Sequence, residues 1–152
     1  MLPIRDAILA DVGELADLFL RSSRANQDDR DNLLKYPGTL AFSEVPVRPG
    51  RTRVVATNGR IVGFATTLVL GDVVELEDLF VDPDWMGQGL GRRLVLDVVA
   101  IARRHGALRV EVTGSSRARG FYEKVGFVFD REVETQFGSA PRMRFDVSHD
   151  SA

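Results

Sequence analysis

Between residues 73 and 105 the sequence changes its hydrophobic period, and the change is centred on a run of glycines. Val73 to Val81 has the composition and alternation of a strand, whereas Leu90, Leu94, Val95, Val98, Val99 and Ala102 recur at helical spacing. Gly87-Gln88-Gly89-Leu90-Gly91 joins the two, after a loop from Asp82 to Met86 that carries Pro83. Arg103-Arg104-His105 places cations in the last helical turn, and Gly106 can end that helix in the left-handed conformation. Leu108 to Val112 reads as the next strand, so residues 73–112 predict a right-handed crossover with parallel outer strands.

The flanking sequence supplies the other elements. Leu2 to Arg5 is a short first strand. Asp11-Val12-Gly13-Glu14 has the form of a helix N-cap with a carboxylate at the third helical position, and residues 11–25 read as an amphipathic helix. Asn32 to Tyr36 predicts a short helix stopped by Pro37-Gly38, followed by an irregular connection over residues 38–50. Arg53 to Thr57, Asn58-Gly59, Arg60 to Leu70, Gly71-Asp72 and Val73 to Val81 read as three antiparallel strands with two tight turns. Ser115 or Ser116 can cap a helix bearing Ala118, Phe121, Tyr122 and Val125, which Gly126 ends. Phe127 to Thr135 and Arg142 to Val147 are the last two strands. The expected fold is mixed α/β in a single domain over residues 1–152. It has a twisted sheet of six to seven strands and about four helices on both faces.

Composition narrows the chemistry. With 152 residues, 44% apolar and 28% charged, the chain can build a core without staples. No cysteine occurs, which removes disulfides, thiolate nucleophiles and sulfur-ligated zinc. Two histidines, His105 and His149, leave little for a histidine metal cluster or a serine triad, so no metal is expected. His105 reads as a helix C-terminal cation and His149 lies in a polar tail. A net charge of -2 argues against a nucleic-acid partner. No segment reaches the ~18 apolar residues of a membrane span, and Asp6 and Asp11 interrupt any signal-like run, so a cytoplasmic protein without membrane attachment is expected.

The glycine run is the strongest chemical signal. Missing side chains let the backbone approach a ligand, and the first N–H groups of the following helix have no internal partner and carry the positive end of its dipole. A diphosphate suits such a site. The bland alternative is a glycine turn that merely packs tightly. A nucleoside-triphosphate loop would need lysine and then serine or threonine, where Arg92-Arg93 stand. A dinucleotide fingerprint would begin directly at the strand end and would need a small residue in place of Arg92.

Leu79-Phe80-Val81-Asp82-Pro83-Asp84-Trp85-Met86-Gly87-Gln88-Gly89-Leu90-Gly91-Arg92-Arg93-Leu94 resembles the acetyl-CoA-binding motif of the GCN5-related N-acetyltransferase (GNAT) superfamily. Ala118-Arg119-Gly120-Phe121-Tyr122-Glu123-Lys124-Val125-Gly126-Phe127 is similar to that family's second motif, and Ile4-Arg5-Asp6-Ala7 through Asp11 to its usual opening. The likeness is weakest over residues 26–52. Met86 stands where the family usually has arginine or glutamine, and Ser115 where it often has asparagine.

The resemblance implies an N-acetyltransferase that moves an acetyl group from acetyl-CoA directly to an amine. It places the diphosphate on the backbone N–H groups of Gln88, Gly89, Leu90, Gly91 and Arg92, with Gly87 also among the cofactor-binding residues. It places the pantetheine arm along Leu79, Phe80 and Val81, and adds Ser115 and Tyr122 to the cofactor contacts. Tyr122 stands where the family has the phenol that protonates the leaving thiolate. Glu75 and Glu77 share a strand face, and either fits the base that takes the amine proton; a solvated or salt-bridged strand carboxylate is the bland reading of each. Phe121 reads as core, and Trp85 as either a cofactor flank or a packing residue. The acceptor is expected to be a small-molecule or peptide amine, with residues 26–52 and the turn 136–142 shaping its pocket and Asp28-Asp29-Arg30-Asp31 a solvated acidic face. A homodimer accords with the family. The alternative function is a non-catalytic acyl-CoA sensor or docking module of the same fold.

Overall fold

The computed structural model describes residues 2–25 and 42–147, and most strand boundaries fall where the turn residues place them. The strands are β1 (Ile4–Asp6), β2 (Thr52–Thr57), β3 (Arg60–Leu70), β4 (Val73–Val81), β5 (Arg109–Thr113), β6 (Val128–Thr135) and β7 (Gly138–Asp146). The α-helices among the described residues are α1 (Val12–Ala25), α2 (Leu90–Arg104) and α3 (Arg119–Val125). The hydrogen-bonded strand order is β1-β2-β3-β4-β5-β7-β6. Asn58 and Gly59 take positive φ of 50° and 76°, the geometry that turns β2 tightly into β3. β4 and β5 pair in parallel, while β1 with β2, β2 with β3, β5 with β7 and β6 with β7 are antiparallel. The mixed α/β sheet is thus the one the sequence predicts.

The described residues fall into two compact units, one within Met1–Thr66 and Asp78–Leu94, the other within Thr67–Glu77 and Val95–Ala152. In the first, α1 buries Leu15, Leu18 and Phe19 at helical spacing in one cluster with Val54 of β2 and Ile61 and Phe64 of β3. Phe80 of β4 packs edge-on to Phe19 at 5.1 Å and lies 5.4 Å from Phe64. Full burial of each such side chain stabilises by about 1.5–3 kcal/mol. In the second unit Val98, Val99 and Ala102 of α2, Val110 and Val112 of β5 and Met143 of β7 are buried. Phe127 is 5.3 Å from Tyr122 and 5.5 Å from Phe145, ring to ring.

Three element starts differ from the sequence reading in an informative way. Residues Leu9–Asp11 form a 3-10 turn, and α1 starts at Val12. Asp11 turns its carboxylate back to the Ile8 N–H at 2.9 Å and the Arg5 guanidinium at 2.8 Å instead of capping toward Glu14. Glu14 instead accepts from the Ile61 N–H on β3. β5 starts at Arg109; exposed Leu108 sits just before it, donating its N–H to the Asp72 carbonyl at 2.7 Å. β7 starts at Gly138, so the expected wide turn 136–142 narrows to residues 136–137. Proline in the strand hid this. The Pro141 carbonyl accepts from Gly114 N–H just beyond the end of β5, and proline, with no N–H, cannot return the bond, so the β5–β7 ladder stops at Thr113 and Arg142. Of the expected four helices, the one over Asn32 to Tyr36 lies outside the described residues, as does the acidic stretch 28–31.

Candidate functional site

The glycine run is open, not packed. Gly87 and Gly89 take φ of 79° and 80°, a region side chains rarely adopt, yet a Cβ built on either would meet nothing within 4 Å. Tight packing therefore does not account for these glycines. Met86, Gly87, Gln88 and Gly89 are exposed, and the run is fixed downstream where Leu90 is buried and Arg93 N–H bonds the Gly89 carbonyl at 3.1 Å. Among the described residues, the N–H groups of Gln88, Gly89, Leu90, Gly91 and Arg92 have no protein acceptor. A stretch of unpaired donors at the positive end of a 15-residue helix, with room for a guest, fits a phosphate or diphosphate. Arg92 is exposed beside it, whereas Arg93 is turned away and donates to the Leu2 carbonyl.

Upstream, the run hangs from Asp82. This side chain is 1% exposed. It accepts from Arg21 of α1 at 2.6 Å, from Arg60 of β3 at 3.2 Å and from the Asp84 N–H at 3.0 Å. Its own N–H donates to Val62 at 2.8 Å and its carbonyl accepts from Trp85 at 2.8 Å, which shapes the 3-10 turn Pro83–Trp85. Burial opposes the charge of Asp82, but the Arg21 hydrogen bond, the Asp84 N–H and the Arg60 charge outweigh it and hold the carboxyl below its ordinary range. Beside it, Ser22 Oγ donates to the Val81 carbonyl at 3.1 Å. The helix start is seated by Gly63 of β3, where an added Cβ would stand 3.1 Å from Leu94 Cδ1 and 3.3 Å from the Phe80 carbonyl.

Leu79, Phe80 and Val81 are all half-buried on the last stretch of β4. The parallel ladder of β4 with β5 covers Val73–Glu75 and Arg109–Glu111 and stops there.

In the second unit the two strand glutamates part company. Glu75 is clasped by Arg142 of β7, Nη1 to Oε2 at 2.8 Å and Nη2 to Oε1 at 2.5 Å. Arg142 also reaches Glu111 at 3.0 Å and Thr113 Oγ1 at 2.9 Å. Burial opposes the charge of Glu111, and its hydrogen bonds to Arg109 and Arg142 prevail, keeping the carboxyl below its usual range. Both oxygens of Glu75 are thus committed, the salt-bridged alternative of the sequence reading. Glu77 is exposed.

Tyr122 lies on α3 with its ring buried against Phe121 and Phe127. Gly114 makes room for it: a Cβ there would stand 3.2 Å from Tyr122 Cε2. Burial pushes the phenol well above its ordinary value, so it stays protonated at neutral pH. Its hydroxyl has no hydrogen-bond partner among the described residues and is not sealed from solvent. Ser115 Oγ accepts from the Ala118 N–H at 3.1 Å and holds the turn before α3. The helix itself starts at Arg119.

Asp82 and Arg142 were not singled out by the sequence. Asp82 had a signal, an N-cap aspartate directly before proline. Arg142 had none, since its partner Glu75 is 67 residues away. Among the described residues no group of three or more His, Cys, Asp or Glu could hold a metal ion, and no helix is long and apolar enough to cross a membrane.

Comparison with known proteins agrees with this architecture. The chain is 38% identical over 76 residues to a glucosamine 6-phosphate N-acetyltransferase of Trypanosoma brucei brucei, covering 45% of this chain and 52% of that protein. It is 38% identical over 73 residues to the [ribosomal protein bS18]-alanine N-acetyltransferase of Escherichia coli K12, covering 46% of this chain and 49% of that one. The chain therefore spans about half the length of these curated relatives. The crystal structure of the PaiA N-acetyltransferase from Thermoplasma acidophilum, in complex with coenzyme A, superposes with a TM-score of 0.76 at 19% identity. That match covers 96% of this chain and 99% of the other and shows a shared fold. The profile of the acetyltransferase (GNAT) family matches residues 13–127, more than half of the sequence, and the chain belongs to that family.

Proposed function

We propose that this chain is an acetyl-CoA-dependent N-acetyltransferase acting on a primary amine. The observation that carries the reading is the open run Gly87–Gly89, whose N–H groups have no protein acceptor among the described residues and where a Cβ added at either glycine would meet nothing within 4 Å. Gln88, Gly89, Leu90, Gly91 and Arg92 bind the diphosphate through their main chain, and Gly87 gives the loop its turn. Leu79, Phe80 and Val81 offer backbone to the pantetheine arm, in keeping with a β4–β5 ladder that ends at Glu75. Acetyl-CoA supplies the acyl group on an activated thioester, with a thiolate of conjugate pKa near 8.5 as leaving group.

The remaining work belongs to the side chains. Tyr122 holds a proton on a raised-pKa phenol with no competing protein acceptor and gives it to the departing sulfur. Glu75 and Glu77 are both candidates for the base that takes the amine proton, and Glu75 would first have to shed Arg142. Ser115 acts by holding the turn before the Tyr122 helix. Alignment of amine and acyl carbon supplies much of the rate, as oriented pairs reach effective molarities of about 10⁵ M or more. The two curated relatives differ in acceptor, a sugar phosphate in one name and a ribosomal protein alanine in the other, so the proposed acceptor class is an amine on a small molecule or peptide. Action in the cytoplasm accords with this reading.

Thiol release from acetyl-CoA, measured with a panel containing glucosamine 6-phosphate, polyamines and an alanine-initiated peptide, tests the proposal. Amine-dependent release is expected. Tight acetyl-CoA binding with no turnover on any amine would favour the sensor instead.

A further inference from the structure

We propose that Asp82 is a positioning residue that sets cofactor affinity by fixing the upstream end of the glycine run; this rests on the cofactor site proposed above. The exposed stretch Met86–Gly89 includes two positive-φ glycines, and no described residue other than its immediate neighbours in the chain hydrogen-bonds to it. Its shape is therefore set by its ends. The downstream end is the first turn of α2, seated by buried Leu90 and by Leu94 against Gly63. The upstream end is the 3-10 turn Pro83–Trp85, and among the described residues the hydrogen bonds that orient this turn against the rest of the unit pass through Asp82. The Asp82 main chain is tied to β3 through Val62. One carboxylate oxygen meets Arg21 and Arg60, while the other accepts the Asp84 N–H inside the turn. The same carboxylate thus ties α1 and β3 to the turn that aims the loop.

A fold-stabilising salt bridge would need only the arginines. What marks Asp82 as a positioning group is the division of its two oxygens, one outward to the framework and one inward to the loop. Without it the free loop samples more conformations, and binding must order them. The side chain is almost fully buried and presents no surface to a ligand, so its effect falls on affinity.

Isothermal calorimetry with coenzyme A on wild type, Asp82→Asn and Asp82→Ala tests this. Wild type must bind; absence of heat there contradicts the cofactor site itself and not this inference. Given wild-type binding, Asp82→Ala is expected to weaken it roughly tenfold per folded molecule. Asp82→Asn, whose amide oxygen still accepts the Asp84 N–H, should recover part of that loss. Amide hydrogen exchange at Asp84, Trp85 and Met86 of the free protein, whose bonded N–H groups close the turn, should quicken in the same order. Unchanged affinity in the folded variants, or a lower melting temperature with unchanged affinity and exchange, would overturn the proposal. Should neither variant fold, the double change Arg21→Gln with Arg60→Gln reads the framework side alone, and is expected to weaken binding by threefold or more; no change overturns the proposal.

Discussion

Arg142 grips both carboxylate oxygens of Glu75, at 2.8 and 2.5 Å, in a two-pronged pair that joins β7 to β4. The same guanidinium bonds Glu111 of β5 at 3.0 Å, so one side chain serves three strands. Arg142→Met leaves two largely buried carboxylates short of their partner and should cost about 3 kcal/mol in urea unfolding. Glu75→Gln should act in the same assay, on stability more than on turnover.

The reverse split is expected at Glu77. Glu77→Gln should lower kcat about 100-fold while the urea midpoint stays within error, because the side chain is exposed on β4. Comparing kcat and midpoint for the two glutamine variants separates base from strut.

Tyr122→Phe keeps the buried ring and removes a hydroxyl that no described residue engages. Folding stability should stay within about 0.5 kcal/mol. Turnover should fall about 100-fold if the phenol protonates the leaving sulfur. Steady-state thiol release and a thermal melt on the same preparation give both values.

The glycines divide by mechanism. Gly89→Ala strains a backbone held at φ 80° but meets no neighbour, so it should cost about 1–2 kcal/mol and weaken coenzyme A binding. Gly63→Ala introduces a Cβ 3.1 Å from Leu94 and Val55 side-chain atoms, and should cost about 1–3 kcal/mol by overpacking. Urea unfolding of both, with binding isotherms, distinguishes strain from crowding.

These pairs also mark what could be read from the sequence. Turns such as Asn58-Gly59 and the helical stripe of α2 depend on neighbours within a few positions, so their chemistry is written locally. The glycine run was legible for the same reason, and the open space around Gly87 and Gly89 argues against a tightly packed turn. Asp82 showed only its N-cap role locally, while its partner Arg21 lies 61 residues away and Arg142 meets Glu75 across 67, separations at which local pattern carries no information. Glu75 and Glu77 were equivalent by alternation, and the clasp of Glu75 by Arg142, on another strand, could not be read from it. Pro141 concealed the start of β7 because proline normally argues against a strand interior.

Acid should unfold the protein through its paired carboxylates. Asp11 and Asp82 lie below their ordinary 3.8 and Glu111 below 4.5, in each case beside arginine. A depressed carboxyl contributes stability that is full above its unfolded value and disappears as pH falls through its folded one. Urea midpoints should be flat from about pH 7 to pH 5 and drop steeply below about pH 4, with a shallower drop in Asp82→Asn.

The central claim is that the main chain of Gln88 to Arg92 binds the diphosphate of coenzyme A. Calorimetric titration of the folded wild-type protein with coenzyme A and with its 3'-dephospho form tests it most directly. Saturable heat with both ligands, weakened by Gly89→Ala, is the predicted result. Folded protein that gives no heat with either would contradict the account.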